Sequence, residues 1–316
     1  MRVPASWAVP AAVAGAACIA SSSTLTELAH VEPATAAAFR AAYALPVLWV
    51  LAAVERRRLG PRPRRDRLVA FASGVFLAFD LVLWHHSIPL VGAGLATVLG
   101  NLQVFFVGLA AWWLLGERPS PRLAIGAPVV LAGVVLLSGV VGGGAYGRDP
   151  ARGVLFGVGC SIAYAGFILV LRASSGRGVA GPLADATLAT ALTSTALGPV
   201  AGGIDLVPHW PAHGWLILLA LSAQVLGWLF IGYSLPRLPA ALTALVLLLQ
   251  PAGALGLAAV ALGERPSPVQ LAGCVVVLGG VLYGARSGRR SGAGSPSAAS
   301  SAPSTPSAAE PARSAR

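Results

Sequence analysis

The sequence predicts an all-α polytopic membrane protein with ten transmembrane helices arranged as two inverted five-helix repeats. Three observations carry this. Of its 316 residues, 56% are hydrophobic and only 10% charged, whereas a soluble domain carries roughly 25% charged residues. Ten apolar runs are separated by short polar connections, and at about 20 residues per bilayer crossing they leave no length for a soluble domain. The motif LGERPSP stands at residues 115–121, closing the fourth run, and again at 262–268, closing the ninth.

The runs fall at residues 8–28, 34–54, 68–88, 91–115, 121–141, 153–172, 182–203, 213–235, 239–262 and 268–285. The first, following Arg2, has the look of a signal peptide with AxA-like cleavage sites. It is read as a retained span because an equivalent apolar helix opens the second half. Trp7, Trp49, Trp112, Trp113, Trp210 and Trp215 lie near proposed ends, where an amphipathic ring sits at the lipid–water boundary. Residues 286–316, rich in Ser, Ala, Pro and Gly, cannot bury a core and read as a disordered cytoplasmic tail. The expected organisation is a first repeat over 1–141, a connecting loop over 142–152, and a second repeat over 153–285.

Every basic side chain apart from histidine is arginine, and the net charge of +11 at first suggests a polyanion binder. Their distribution excludes nucleic acid, since the arginines sit in connections and serve topology. The connection at 55–67 carries Arg56, Arg57, Arg58, Arg62, Arg64, Arg65 and Arg67 and is placed in the cytoplasm. Alternation then puts Arg2, Arg118, Arg122, Arg172, Arg177, Arg237, Arg286, Arg289 and Arg290 inside, with only Arg148, Arg152 and Arg265 outside. Both termini are expected on the cytoplasmic side of the inner membrane. Cys18, Cys160 and Cys274 lie within apolar runs without CxxC spacing and read as small core residues.

The heptapeptide identity extends at the same offset: Ser87 and Pro89 match Ser234 and Pro236, Gln103 matches Gln250, and Gly126 and Gly133 match Gly273 and Gly280. Five spans separate the two copies, so they lie on opposite sides and the repeats are inverted, as in many secondary transporters. The motif reads as a tight turn. Gly116 and Gly263 end one helix; Ser120 and Ser267 cap the next, whose first residue is Pro121 or Pro268. Glu117 and Glu264 are available to pair with Arg118 and Arg265 or to cap helix amides.

The stretch at 32–52, EPATAAAFRAAYALPVLWVLA, sets a proline before an intramembrane arginine. The stretches VGAGLATVLGNLQVFFVGLAAWWLLGERPS at 91–120 and LPAALTALVLLLQPAGALGLAAVALGERPS at 238–267 echo each other. On these segments the chain resembles the drug/metabolite transporter superfamily, in particular proteins with two EamA domains, from the first span to about residue 285. The resemblance implies a 5+5 bundle in which spans 1–4 and 6–9 surround a central cavity, with spans 5 and 10 at the periphery. It departs from the family in one place: Pro251 follows Gln250 at mid-helix, but Val104 follows Gln103, so flexing of the first-half span is less expected.

Charge within a bilayer costs a few kcal/mol on insertion scales and so demands a reason. Arg40, about six residues into the second span, and Asp80, about eight residues from the outer end of the third, lie at similar depths. They read either as a neutralised buried pair fixing the packing or as functional groups, with Arg40 binding an anionic group and Asp80 carrying a coupling proton. Asp80 shares a helical stripe with Phe76, Trp84 and Ser87 that is expected to face the bundle. His85 and His86 point in different directions, poor geometry for a metal; they read as interfacial residues or a proton relay. No metal or cofactor is called for.

Gly94, Thr97, Asn101, Phe105 and Gly108 form a stripe on span 4, with Gln103 nearby; span 9 carries Thr243 and Gln250 before Pro251. Packing between helices explains these residues. So does a substrate cavity, because Asn101, Gln103, Gln224 and Gln250 fall near the midplane between the repeats, where transporters bind solute. Tyr164 and Trp228 supply aromatic walls at similar depth or ordinary packing. Glu27 reads as a rim residue and Asp185 as a cap for the seventh span.

The function expected is a secondary transporter or exporter of a small metabolite or drug-like solute, with the lipid bilayer as its other partner; a homodimer is compatible with the sequence. There is no GxxxxGK[ST] phosphate loop. An intramembrane enzyme would need a nucleophile and base at matched depth, and no HExxH or GxSxG is present. A non-transporting scaffold or sensor is the remaining alternative.

Overall fold

The computed structural model describes residues 7–115, 121–138, 141–142, 144–174, 178–234 and 240–285. Most of the first LGERPSP copy (Gly116, Glu117, Arg118, Ser120), together with Arg2, Arg177, Pro236, Arg237 and the tail, lies outside them, as does the side chain of Thr243. Among the described residues the regular secondary structure is all helical, with no strand. Thirteen helices succeed one another: α1 (Ala8–Ala20), α2 (Ser22–Ala29), α3 (Pro33–Leu59), α4 (Arg64–Val91), α5 (Ala93–Gly100), α6 (Gln103–Leu115), α7 (Pro121–Leu137), α8 (Pro150–Ala173), α9 (Ala180–Leu197), α10 (Ala212–Leu219), α11 (Trp228–Ser234), α12 (Ala240–Ala261) and α13 (Pro268–Ala285).

Six stretches are long and apolar enough to cross a membrane: Ala8–Ala29, Pro33–Leu59, Arg64–Val91, Ala93–Ala110, Pro150–Ala173 and Ala212–Ser234. Shorter apolar helices occupy Ile125–Leu137, Leu249–Ala261 and Pro268–Tyr283. Large apolar side chains face outward, among them Leu155 at 72%, Trp113 at 84% and Val260 at 89% exposure, a surface that suits hydrocarbon and not water. The arginine-rich connection is shorter than its sequence suggests. Helix α3 runs on through Arg56, Arg57 and Arg58 to Leu59, and α4 restarts at Arg64, leaving residues 60–63 between them.

Local chemistry sets the helix ends. Pro33 opens α3 and Pro150 opens α8, whose first turn is capped by Asp149 accepting from the Arg152 amide at 3.1 Å. The second LGERPSP copy folds as its residues foretell. Gly263 takes φ +67° after α12, the Glu264 amide reaches back to the Ala258 carbonyl at 3.2 Å, and Ser267 with Gln270 forms a reciprocal cap on α13.

The helix break of the fourth span differs from expectation. It falls in the first half, at Asn101–Leu102, where there is no proline, while α12 passes through Pro251 as one helix. Three side chains account for it by taking carbonyls around the break: Thr97 from Ala93 at 3.0 Å, Asn101 from Thr97 at 2.9 Å, and Ser161 of α8 from Leu99 at 2.6 Å. The Asn101 and Leu102 amides shorten to i−3 partners. The break also splits the stripe read along this span, and Phe105 ends up against Gly126 of α7.

Close packing rests on small residues. Helix α4 lies against α8 and α9, α3 against α9, α5 against α12, and α1 against α11 and α12. A Cβ on Gly74 would collide with the backbone of Ala186, and Thr190 donates across the same seam to the Gly74 carbonyl at 3.0 Å. The repeat-matched glycines meet in crossed pairs where α7 packs on α13: Gly126 opposite Gly280, and Gly133 opposite Gly273.

Candidate functional site

A cavity of about 100 Å³ lies among α1–α6, α8, α11 and α12, and no residue of α7 or α13 lines it. Its walls include Arg40, Asp80, Trp84, Asn101, Gln103, Tyr164, Trp228 and Gln250, eight of the residues singled out from sequence. Gln224 is not in the wall; it stands behind Arg40.

Arg40 and Asp80 do not form the ion pair that sequence left open: they are absent from the ion pairs of the described residues. The Arg40 Nε donates instead to Gln224 Oε1 at 3.1 Å, and Gln224 Nε2 donates to Thr187 Oγ1 at 3.2 Å. Gln224 is wholly buried and lies in a π-helical turn over Ala220–Gly227, an i→i+5 irregularity that turns its amide toward Arg40. Among the described residues that is Arg40's one hydrogen bond, so four of the five guanidinium N–H donors remain for the cavity.

Asp80 is buried, and its Oδ1 accepts from the Cys160 thiol at 3.0 Å. A thiol is a weak donor, so among the described residues the carboxylate has neither a cation nor a strong neutral partner in direct contact. Gln103 Oε1 is buried and unpartnered among the described residues. Opposite these groups stands an aromatic wall: Tyr164 meets Trp228 edge-on at 6.2 Å, and Phe167 packs on both rings at 5.9 and 5.5 Å. The cavity thus combines separated opposite charges, amides with spare capacity and an apolar ring surface, a lining suited to a small solute with polar and apolar parts.

Other expectations fare differently. Within the stripe of Asp80, Trp84 and Ser87 are buried but Phe76 is 41% exposed, because its ring lies over Gly166 on the outer side of α8. His85 bonds the Pro33 carbonyl at 3.1 Å and His86 stacks on Phe156. Asp185 does not cap its helix. It pairs with Arg62 at 2.7 Å, and the start of α9 is capped by Glu55, which accepts from the amides of Val179, Ala180 and Gly181.

Glu264 caps the amides of Ala93 and Gly94 and is not among the ion-paired residues described, so helix capping, one of its two sequence readings, is the one the structure adopts. Cys160 and Thr187 were missed as site residues. Cys160 stands one turn before Tyr164, an i, i+4 spacing that marks the cavity face of α8; Thr187 gave no sequence signal.

Two stretches of the chain, residues 6–139 and 151–283, match the EamA-like transporter family. The chain belongs to the EamA-like transporter family. It carries two EamA domains in tandem and is a multi-pass membrane transporter. No curated protein matches it in sequence. A solved structure, described only as the crystal structure of a protein, is similar with a TM-score of 0.57 at 20% identity over 88% of this chain and 95% of that one, a likeness of fold alone. The cavity of this EamA-like transporter draws on both domains: Arg40, Asp80 and Asn101 from the first, Cys160, Tyr164, Trp228 and Gln250 from the second.

Proposed function

We propose that this EamA-like protein is a secondary transporter that exports a small metabolite or drug-like solute across the cytoplasmic membrane by alternating access, coupled to protons through Asp80. Ten spans in two inverted repeats, with both termini in the cytoplasm, form its frame. The crossed Gly126–Gly280 and Gly133–Gly273 pairs support the inverted arrangement, and the arginine asymmetry supports the orientation.

The observation that carries the function is that Arg40 and Asp80 line one cavity without neutralising each other. Buried charges left apart in a membrane protein are costly unless something else binds them. Arg40 offers its terminal N–H groups to an anionic or carbonyl portion of the solute; Asp80, lightly held by Cys160, is free to exchange a proton. At about 100 Å³ the cavity holds a few waters, below the roughly 300 Å³ of a drug-sized site. Admitting a solute therefore requires the helices to part, which alternating access provides. The deciding experiment is uptake and efflux of a metabolite panel in proteoliposomes with and without a pH gradient. Solute movement above empty liposomes is expected, and no movement under any gradient would leave a scaffold or sensor role.

A further inference from the structure

A second, larger cavity of about 290 Å³ opens at the arginine-rich end of the bundle, between the end of α3, the start of α4 and the start of α9, remote from Arg40 and Asp80. Its charged wall holds Arg56, Arg62 and Arg67; Trp49 and Leu59 continue the wall, and both are about half exposed on the apolar outer surface.

Its acids are already engaged. The Glu55 carboxylate takes the three amides at the start of α9, at 2.7, 3.3 and 2.7 Å. Asp185 Oδ2 is shared by Arg62 at 2.7 Å and Arg67 at 3.8 Å. The arginines keep spare donors. Arg62 spends one terminal group on Asp185 and the other on the Asp66 carbonyl at 3.2 Å, which leaves its Nε buried and unpartnered. The Arg56 guanidinium makes no hydrogen bond among the described residues, and the Arg67 side chain is 65% exposed. A buried N–H without an acceptor costs free energy unless a ligand or water supplies one.

We propose that this cavity binds the phosphodiester headgroup of an anionic phospholipid. Guanidinium groups match phosphate oxygens in pairs, and a basic cleft between helices at the membrane surface is the geometry that holds lipid headgroups. The wall passes from arginine to indole and leucine within one cavity, so it suits a molecule with an anionic head and an apolar body, which free phosphate is not. The phosphate sits against Arg56 and Arg67, beside the ion-paired Arg62, with the glycerol and first methylenes along Trp49 and Leu59. The site rests on the membrane location of the chain and not on which solute the central cavity carries.

The test uses the full chain in detergent, with short-chain phosphatidylglycerol, phosphatidylcholine and inorganic phosphate as probes and native mass spectrometry as the readout of bound lipid. Phosphatidylglycerol is expected to bind at least tenfold more tightly than phosphatidylcholine. The R56Q/R67Q double variant, which leaves the Arg62–Asp185 pair intact, is expected to lose on the order of tenfold or more of that affinity. The R57Q/R58Q variant removes the same charge from outside the cavity and is expected to bind as the parent does. Equal binding of the two lipids, or equal losses in both variants, overturns the site. Displacement of phosphatidylglycerol by millimolar phosphate overturns the lipid assignment in favour of a free-phosphate site.

Discussion

The Glu264 carboxylate holds the first two amides of α5, accepting from Ala93 N–H at 2.6 Å and Gly94 N–H at 3.2 Å. The turn of the second LGERPSP copy thereby grips the opening of the fourth span in the other domain. Burial raises the Glu264 carboxyl above its ordinary value, the two amides oppose the shift, and nearby Glu27 adds to it.

Glu264→Ala removes the cap and is expected to lower stability by about 1–2 kcal/mol. The pH dependence has a definite sign. A carboxyl raised by folding binds its proton more tightly in the native state, so its contribution is most favourable below the ordinary value of 4.5 and declines as pH rises from there through the raised value. Glu264→Gln lacks this titration. Its unfolding midpoint, measured relative to the parent in detergent, is expected to improve as pH rises across that window; a constant offset would show that the carboxyl is not raised.

Gln224 is the one protein acceptor described for the buried Arg40. Gln224→Leu leaves the guanidinium Nε without it, and a lost hydrogen bond to a charged group is worth about 1.5–3 kcal/mol. Lower thermal stability and weaker solute affinity are both expected. Gln224→Glu supplies a charged acceptor and is expected to recover stability while adding a second negative charge behind the cavity, so that its transport stays impaired.

Cys160 is buried against Asp80. A methanethiosulfonate reagent is expected to reach it only when the bundle opens, and saturating solute is expected to slow its labelling severalfold in a C18A/C274A background. A labelling rate indifferent to solute would separate the thiol from the transport path. Cys160→Ser keeps a hydroxyl donor facing the Asp80 carboxylate and is expected to keep transport while abolishing the labelling.

The seam between α4 and α9 leaves no room at Gly74, where the obstacle is the Ala186 backbone. Gly74→Ala is expected to cost about 1–3 kcal/mol by overpacking, measured as loss of monodisperse protein on heating.

Much of this was legible in the sequence because apolar runs, turn residues and repeats are local signals. The caps at Ser267 and Gly263 follow from residue type, and the cavity-lining amides follow from depth along a helix. What escaped is relational. Glu55 caps a helix of the other domain and thereby releases Asp185 to Arg62, and no spacing encodes such a long-range choice. The break at Asn101 depends on Ser161 from α8 as well as on Thr97, which is why scanning for proline placed flexibility at Pro251. Arg40 and Asp80 matched in depth, but only the π turn at Gln224 determines that the arginine turns to an amide.

The central claim is that a proton on Asp80 drives solute through the cavity between the two domains. The direct measurement is solute accumulation in proteoliposomes under an imposed pH gradient, alongside counterflow without a gradient, for the parent and Asp80→Asn. The parent is expected to accumulate solute; Asp80→Asn is expected to retain counterflow and lose gradient-driven accumulation. Full accumulation by Asp80→Asn would contradict the coupling role of Asp80.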